Sequence, residues 1–432
     1  MRVELINIGT ELLRGATANT HLLWLGERLA RAGLPARRQT CVEDEPGAVA
    51  EAAAEALERA RLAIVTGGLG PTADDRTREA VAALLGRKLT EAPEIRERIR
   101  AWYRARGREV PPQALVQARV PEGAEALVNR QGAAPGLWIE IPDWKGAGER
   151  TLVLLPGPPR ELRPMFETEV LPRLLRLVPA QSRTAWRRLR TMDVPESVLE
   201  QRLAGALEEL ERRGLEVGYC ARPGETDLHL AAAGPEAERL VEEAAARARR
   251  ILGERVYGEG DETLEQATAR LLIRQGRTLA AAESCTGGLL AHRITNVPGV
   301  SAAFLGGVVA YSNEAKRRFL GVPAEALERH GAVSEPVALA MARGARERFG
   351  ADYALGVTGV AGPGGGTPEK PVGTVWIALA GPEGAQAVRR LNQFDRETFK
   401  RMTARQALDM LRLRLLGAEP AAPERAPEPA GR

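Results

Sequence analysis

Short apolar runs and helix-spaced apolar positions alternate along most of the 432-residue chain. Runs over 3–8, 36–42 and 62–66 predict strands, and apolar positions recurring every three to four residues over 20–32, 48–61 and 77–85 predict helices. Strand and helix taking turns predict a parallel sheet covered by helices up to about residue 170, with ligands at the carboxyl ends of the strands. From 189 the order changes to strand 189–194, helix 195–210, a hairpin of 215–221 and 226–232 turning at Pro223-Gly224, and helix 235–252. That βαββα unit is large enough for a small α+β domain of KH-like order. It has no Gly-x-x-Gly loop beside a basic face, which makes it a spacer or dimerisation element rather than an RNA binder.

A second α/β pattern follows: helix 263–275, strands 278–282 and 304–311, helices 313–320 and 336–349, strands 353–358 and 372–379, and helix 397–415. The last residues have no apolar periodicity and predict a disordered tail. The expected domains are therefore 1–170, 171–257, 258–416 and a tail over 417–432.

Composition narrows the class. Hydrophobic content of 44% with 27% charged residues describes an ordinary globular protein, and no apolar run reaches the length of a membrane span. Glu4 and Glu11 interrupt any basic, apolar leader, so the expected location is cytoplasmic. Cys41, Cys220 and Cys285 lie far apart without a CxxC, against a disulfide framework or structural zinc. The charges, 61 basic and 57 acidic, are interleaved and aromatics are only 4%, a composition that does not suit a nucleic-acid surface. Only Lys88, Lys145, Lys316, Lys370 and Lys400 are lysines, so a lysine inside a motif stands out as the cation able to lose its proton.

Candidate chemistry falls at strand ends. After the first strand comes Gly9-Thr10-Glu11-Leu12-Leu13-Arg14-Gly15, and after the third comes Gly67-Gly68-Leu69-Gly70-Pro71-Thr72-Ala73-Asp74-Asp75. Glycines let backbone N–H groups approach a phosphate, with Thr66 and Thr72 as further donors. Asp74 and Asp75 suit phosphate only with a hard divalent cation between, or else one of them caps the next helix. In the last domain, Ala282-Glu283-Ser284-Cys285-Thr286-Gly287-Gly288 joins a strand to a helix. Its hydroxyls there meet the positive end of the helix dipole, or simply cap the helix. None of the four histidines, His21, His229, His292 and His330, lies in a motif. Lys316, if desolvated, can serve as base for Ser284, with Tyr311 relaying or donating a proton. Backbone N–H groups after Thr358, or at Thr286, Gly287 and Gly288, can hold an oxyanion.

The residues carry two resemblances. Segment 9–15 with Asn19, Asp44 in Val42-Glu43-Asp44, 66–75, Ala134-Pro135-Gly136-Leu137 and Leu155-Pro156-Gly157-Pro158-Pro159 resemble the N-terminal domain of the CinA family, itself related to molybdopterin-binding domains. The resemblance implies a nucleotide-type ligand near Thr10, Glu11, Asn19, Gly67, Gly68, Gly70, Thr72, Pro156 and Gly157. It also implies a divalent metal handled by Asp44, Asp74 and Asp75, and an ADP-ribose pyrophosphatase activity. The alternative there is a domain that only binds a molybdopterin-like ligand.

The 282–288 stretch, Gly307, Tyr311-Ser312-Asn313-Glu314-Ala315-Lys316, His330-Gly331-Ala332-Val333-Ser334-Glu335, Thr358-Gly359-Val360-Ala361-Gly362-Pro363 and Lys370-Pro371-Val372-Gly373-Thr374-Val375 resemble the C-terminal CinA domain. This resemblance implies a nicotinamide mononucleotide amidohydrolase needing no cofactor: Ser284 as nucleophile, Lys316 as base and Tyr311 as helper. Thr286, Gly287, Gly288, Thr358, Gly359 and Gly362 would contact substrate, and Arg396 or Arg401 its phosphate. Cys285, beside Ser284, is the intrinsically better nucleophile and stays open as the alternative. A homodimer is expected, and the competing class is a non-catalytic adaptor in DNA uptake or damage response.

Overall fold

Alternate residues of Val3–Ile8 and Leu62–Thr66 feed two different cores, which is why both strands are wholly buried. Val3, Leu5, Leu62 and Ile64 face Leu25, Leu29 and Phe166, while Ile6, Ile8, Ala63 and Val65 face Val49, Ala53 and Leu57. The structure, a computed structural model, describes residues 1–178 and 184–418. The expected tail lies outside them from residue 419 on. The chain forms two compact units, one of residues 1–185 with 232–238 and the other of the remaining residues.

In the first unit, Ala36–Val42, Val3–Ile8, Leu62–Thr66 and Arg150–Leu155 are parallel neighbours in that order. Gly136–Ile141 and Glu125–Leu127 then extend the sheet antiparallel. The all-parallel expectation thus fails at one edge, where strands as short as three residues are too brief for their alternation to be read. The helix Leu171–Leu177 buries Leu174 in the same unit's core, so this domain continues beyond the expected boundary at 170.

The middle sheet is Glu216–Arg222, Glu225–Ala233, Thr184–Met192 and Val256–Glu259 in spatial order. The hairpin turns where expected, and the unanticipated four-residue strand Val256–Glu259 closes the sheet's other edge. Within the second unit, Arg405 of the last helix donates to the Pro223 carbonyl and pairs at 3.1 Å with buried Glu225, fastening hairpin to helix.

The C-terminal sheet runs Phe304–Val309, Leu279–Glu283, Tyr353–Gly359, Thr374–Gly381, Gly384–Leu391, the first three parallel and the last two antiparallel. Leu279 and Ala281 pack with Leu290, Phe399 and Leu411 on one face, and Ala280 and Ala282 with Val337 and Met341 on the other. Gly356 lets the helix Glu335–Phe349 lie close, because a Cβ there would come within 2.6 Å of the Ala338 carbonyl oxygen. No helix among the described residues is long and apolar enough to cross a membrane.

Candidate active site

Leu279–Glu283 lies between two parallel neighbours, so the chain leaving it emerges beside the ends of Phe304–Val309 and Tyr353–Gly359. Three loops therefore meet at one sheet edge, around a cavity of about 300 Å³. Of the residues singled out in the sequence, Ser284, Tyr311, Lys316, Thr358, Gly359, Gly362 and Arg396 line it. Cys285 and Asn313 line it as well.

Lys316 is 1% exposed, in the helix Asn313–Leu320 that Ser312 caps by accepting from the Ala315 N–H. Its Nζ lies 3.0 Å from Ser284 Oγ, 3.0 Å from the Ala310 carbonyl oxygen and 3.1 Å from the Tyr311 carbonyl oxygen. Both carbonyls can only accept, whereas the hydroxyl can donate. A neutral amine fits that set, giving its two hydrogens to the carbonyls and its lone pair to the Ser284 O–H. Burial pushes the Lys316 amine below the ordinary lysine range, only partly opposed by Cys285. Among the described residues no carboxylate is within ion-pair distance of it.

The Tyr311 phenol is 61% exposed and accepts a hydrogen bond from Arg396 at 2.8 Å. Tyr311 thus steadies the lysine through its backbone and the arginine through its ring. Arg396 also donates to the Gly362 carbonyl at 2.7 Å, which places it on the cavity, whereas exposed Arg401 pairs with Glu397 at 3.0 Å and does not line it. Thr358 donates to the Ala332 carbonyl at 2.8 Å, joining two walls.

Thr286, Gly287 and Gly288 form the turn behind Ser284 and do not line the cavity. The Thr286 hydroxyl is buried without a partner among the described residues. The helix start expected to be free for an anion is occupied: the Glu283 carboxylate, 1% exposed, accepts from the N–H groups of Gly288, Leu290 and Ala291 at 2.9, 3.0 and 2.8 Å. Glu283 was visible in the motif, but its role depends on the turn doubling back over it.

Burial pushes the Cys285 thiol up to about 12, against opposing backbone N–H groups, so it stays protonated near neutral pH. If Ser284 is the nucleophile of an amide hydrolysis, Cys285→Ala is expected to keep ammonia release within about threefold of wild type, measured by a coupled assay. Its loss would hand the nucleophile's role to the thiol.

A second cavity holding predicted site residues, about 430 Å³, lies in the first unit at the carboxyl ends of its parallel strands. Glu11, Asp44, Gly67, Gly68, Gly70, Asp74 and Asp75 line it, as do Pro156 and Gly157. Gly68 has φ +66, and a Cβ there would sit 2.0 Å from Thr77 Oγ1, so only glycine makes this turn. Thr10, Asn19 and Thr72 stand behind the wall. The Thr10 N–H donates to Asp44 at 2.8 Å, Asn19 caps the helix Thr20–Arg31, and Thr72 donates to Asp75 through its N–H at 3.0 Å and through its hydroxyl.

Asp44 and Asp75 are thus already engaged, and among the described residues no three acidic, histidine or cysteine side chains converge as metal ligands. Sequence reading missed Arg78, 1% exposed, which donates to the Leu69 and Gly70 carbonyls at 2.6 and 3.1 Å and puts a guanidinium behind the glycine loop. It also missed Trp102, Tyr103 and Gln117 on the cavity wall. No motif announces them, since they come from the helix Pro93–Arg104 and the 3-10 helix Pro112–Ala118, distant in sequence from the loop.

Fold and sites define a three-domain α/β protein, and comparison assigns each part. Residues 4–176 match the probable molybdopterin binding domain, 186–258 the damage-inducible protein CinA KH domain, and 261–415 the CinA C-terminal domain. The chain is 46% identical to a CinA-like protein of Parasynechococcus marenigrum, over 96% of this chain and 98% of that one. It is 45% identical to a CinA-like protein of Akkermansia muciniphila, over 94% and 96%. A crystal structure of the competence/damage inducible protein CihA of Agrobacterium tumefaciens is 42% identical over 36% of this chain and 97% of that one, with a TM-score of 0.34. The chain belongs to the CinA family.

Proposed function

We propose that the C-terminal site hydrolyses the carboxamide of nicotinamide mononucleotide to nicotinic acid mononucleotide and ammonia. The observation that carries this reading is the 3.0 Å approach of a buried lysine amine, with no carboxylate beside it among the described residues, to a serine hydroxyl on a cavity wall. Ser284 Oγ bonds to the carboxamide carbon as its proton passes to Lys316 Nζ. The C–N bond breaks as that proton moves to the leaving nitrogen, giving ammonia and an ester on Ser284. Water then loses a proton to the same amine and cleaves the ester, and the proton returns to Ser284 Oγ. Serine and lysine cover every proton transfer, so no cofactor is required. The Ala361 and Gly362 N–H groups on the cavity wall are candidates to hold the oxyanion, the Val360 N–H being donated to the Thr374 carbonyl, and Arg396 suits the phosphate.

The glycine loop, the cavity carboxylates and the guanidinium behind the loop favour a second reading for the N-terminal site, an ADP-ribose pyrophosphatase. A divalent ion there would draw on the substrate's phosphate oxygens besides Asp44, Asp74 or Asp75, a sharing common for magnesium.

Both readings are tested in one experiment on the full chain, with each substrate and with or without a chelator. Nicotinamide mononucleotide is expected to give one ammonia per turnover whether or not the chelator is present, and ADP-ribose to give AMP only when a divalent ion is free. Absence of ammonia sinks the amidohydrolase. Binding of ADP-ribose without AMP reduces the N-terminal domain to a ligand-binding module, and inertness toward both favours the adaptor. The proposed protein is a cytoplasmic homodimer, and sedimentation at micromolar concentration reads that state.

A further inference from the structure

A further cavity, about 690 Å³, opens at the amino ends of the first unit's parallel strands, the edge opposite the glycine loop, and Arg2, Glu4, Arg37, Arg38 and Arg59 line it. Regular alternation would send the neighbours Arg37 and Arg38 to opposite faces of their strand. Val3 pairs with Ala36 and Glu4 with Arg38, so the ladder skips Arg37, and at this bulge both arginines line the one cavity. Glu4, the one carboxylate on the wall among the described residues, is buried and already engaged: Arg59 donates to its two oxygens at 3.0 and 2.9 Å. Arg59 pairs with Glu55 as well. Exposed Arg2, Arg37 and Arg38 have no carboxylate or carbonyl partner for their guanidiniums among the described residues, whereas Arg31 and Arg61, close by in sequence, are paired with Glu27 and Glu149.

We propose that Arg2, Arg37 and Arg38 form a binding site for a compact polyanion of the di- or triphosphate class, separate from both cavities described above and independent of either proposed activity. Three guanidiniums gathered without a counter-charge repel one another and draw an anion from solution. A guanidinium fork matches phosphate oxygens in pairs, so three of them can hold several oxygens at once. The charge sets the class. A single phosphate group carries about −1.5 to −2 at neutral pH, short of the three uncompensated arginines, and a second phosphoryl group makes up the difference. The cavity volume falls within the range of small-molecule sites. No aromatic side chain lines it, so the stacking platform that a single-stranded nucleic acid needs is missing among the described residues.

The test is calorimetric titration of the full chain, free of divalent ions and at low salt, with inorganic triphosphate and, separately, with orthophosphate. Wild type is expected to hold triphosphate at least about tenfold tighter than orthophosphate, and to lose affinity as salt is raised. The double variant Arg37→Gln/Arg38→Gln keeps two long polar side chains without their charge and is expected to weaken triphosphate about thirtyfold. Both positions are exposed, so its thermal midpoint should stay within about 2 °C of wild type. Arg2→Gln alone, on a different strand, is expected to weaken triphosphate about fivefold. Because the variants leave the other two cavities untouched, the difference from wild type reads this site alone. Triphosphate bound equally by wild type and the double variant, orthophosphate bound as tightly as triphosphate, or no binding of triphosphate by wild type overturns the site. A single-stranded oligonucleotide that wild type binds more tightly than triphosphate, and that the double variant releases, overturns it in favour of a nucleic-acid surface.

Discussion

If the proposed amide hydrolysis holds, Lys316→Met is expected to cut turnover of nicotinamide mononucleotide at least about 10³-fold while substrate affinity changes little, because it removes the group that, among the described residues, is placed to take the serine proton. Methionine keeps the length and apolar stem of lysine in a site that is 1% exposed, so the fold is expected to survive. Lys316→Arg is expected to fail as badly, since a guanidinium keeps positive charge but does not give up its proton near neutral pH. The pair separates basicity from charge. The pH profile adds a sign. Burial lowers the lysine's pKa, and the neutral amine is the active form. Wild-type turnover therefore rises with pH through that depressed value and levels above it, well before an ordinary lysine would titrate. The residual rate of Lys316→Met lacks that limb. Undiminished turnover in either variant, or a wild-type rate that falls as pH rises through neutrality, removes the lysine from the mechanism.

That Ser284 and Lys316 meet was legible because each follows an apolar strand by a few residues, and adjacent parallel strands bring their carboxyl ends together. The glycine loop 67–70 was legible on the same ground. What the sequence hid depends on packing between distant segments. Gly384–Leu391 is an edge strand with intermediate and exposed positions, so no apolar run announces it. The antiparallel edge of the first sheet is hidden because Glu125–Leu127 is only three residues long and the apolar run of Gly136–Ile141 does not tell strand direction. Arg401 and Arg396 look alike in sequence, and only the loop folding back to put the Gly362 carbonyl beside Arg396 tells them apart. Gln117 belongs to no motif, and its burial on a cavity wall comes wholly from tertiary structure.

Glu283→Leu is expected to lower the thermal midpoint by about 10 °C, a loss of stability out of scale with one side chain. Its carboxylate, 1% exposed, takes the N–H groups of Gly288, Leu290 and Ala291, all at 3.0 Å or less. Leucine leaves one buried and two part-buried donors unpaired at about 1–3 kcal/mol each, partly relieved where water reaches them or the turn shifts, so a total on the order of 4 kcal/mol is expected. At about 2–4 °C per kcal/mol for a domain of this size, that gives the stated fall. Glu283→Gln keeps one acceptor oxygen in nearly the same volume and should lose about half as much. Activity should fall further than stability. Ser284 is the next residue, its own N–H held by the Val357 carbonyl at 3.0 Å, and a shifted turn moves its hydroxyl off the lysine. Calorimetry and ammonia release on the same preparations read both effects. Equal midpoints for wild type and Glu283→Leu would mean that the helix start finds other acceptors and that Glu283 does not set the position of the serine.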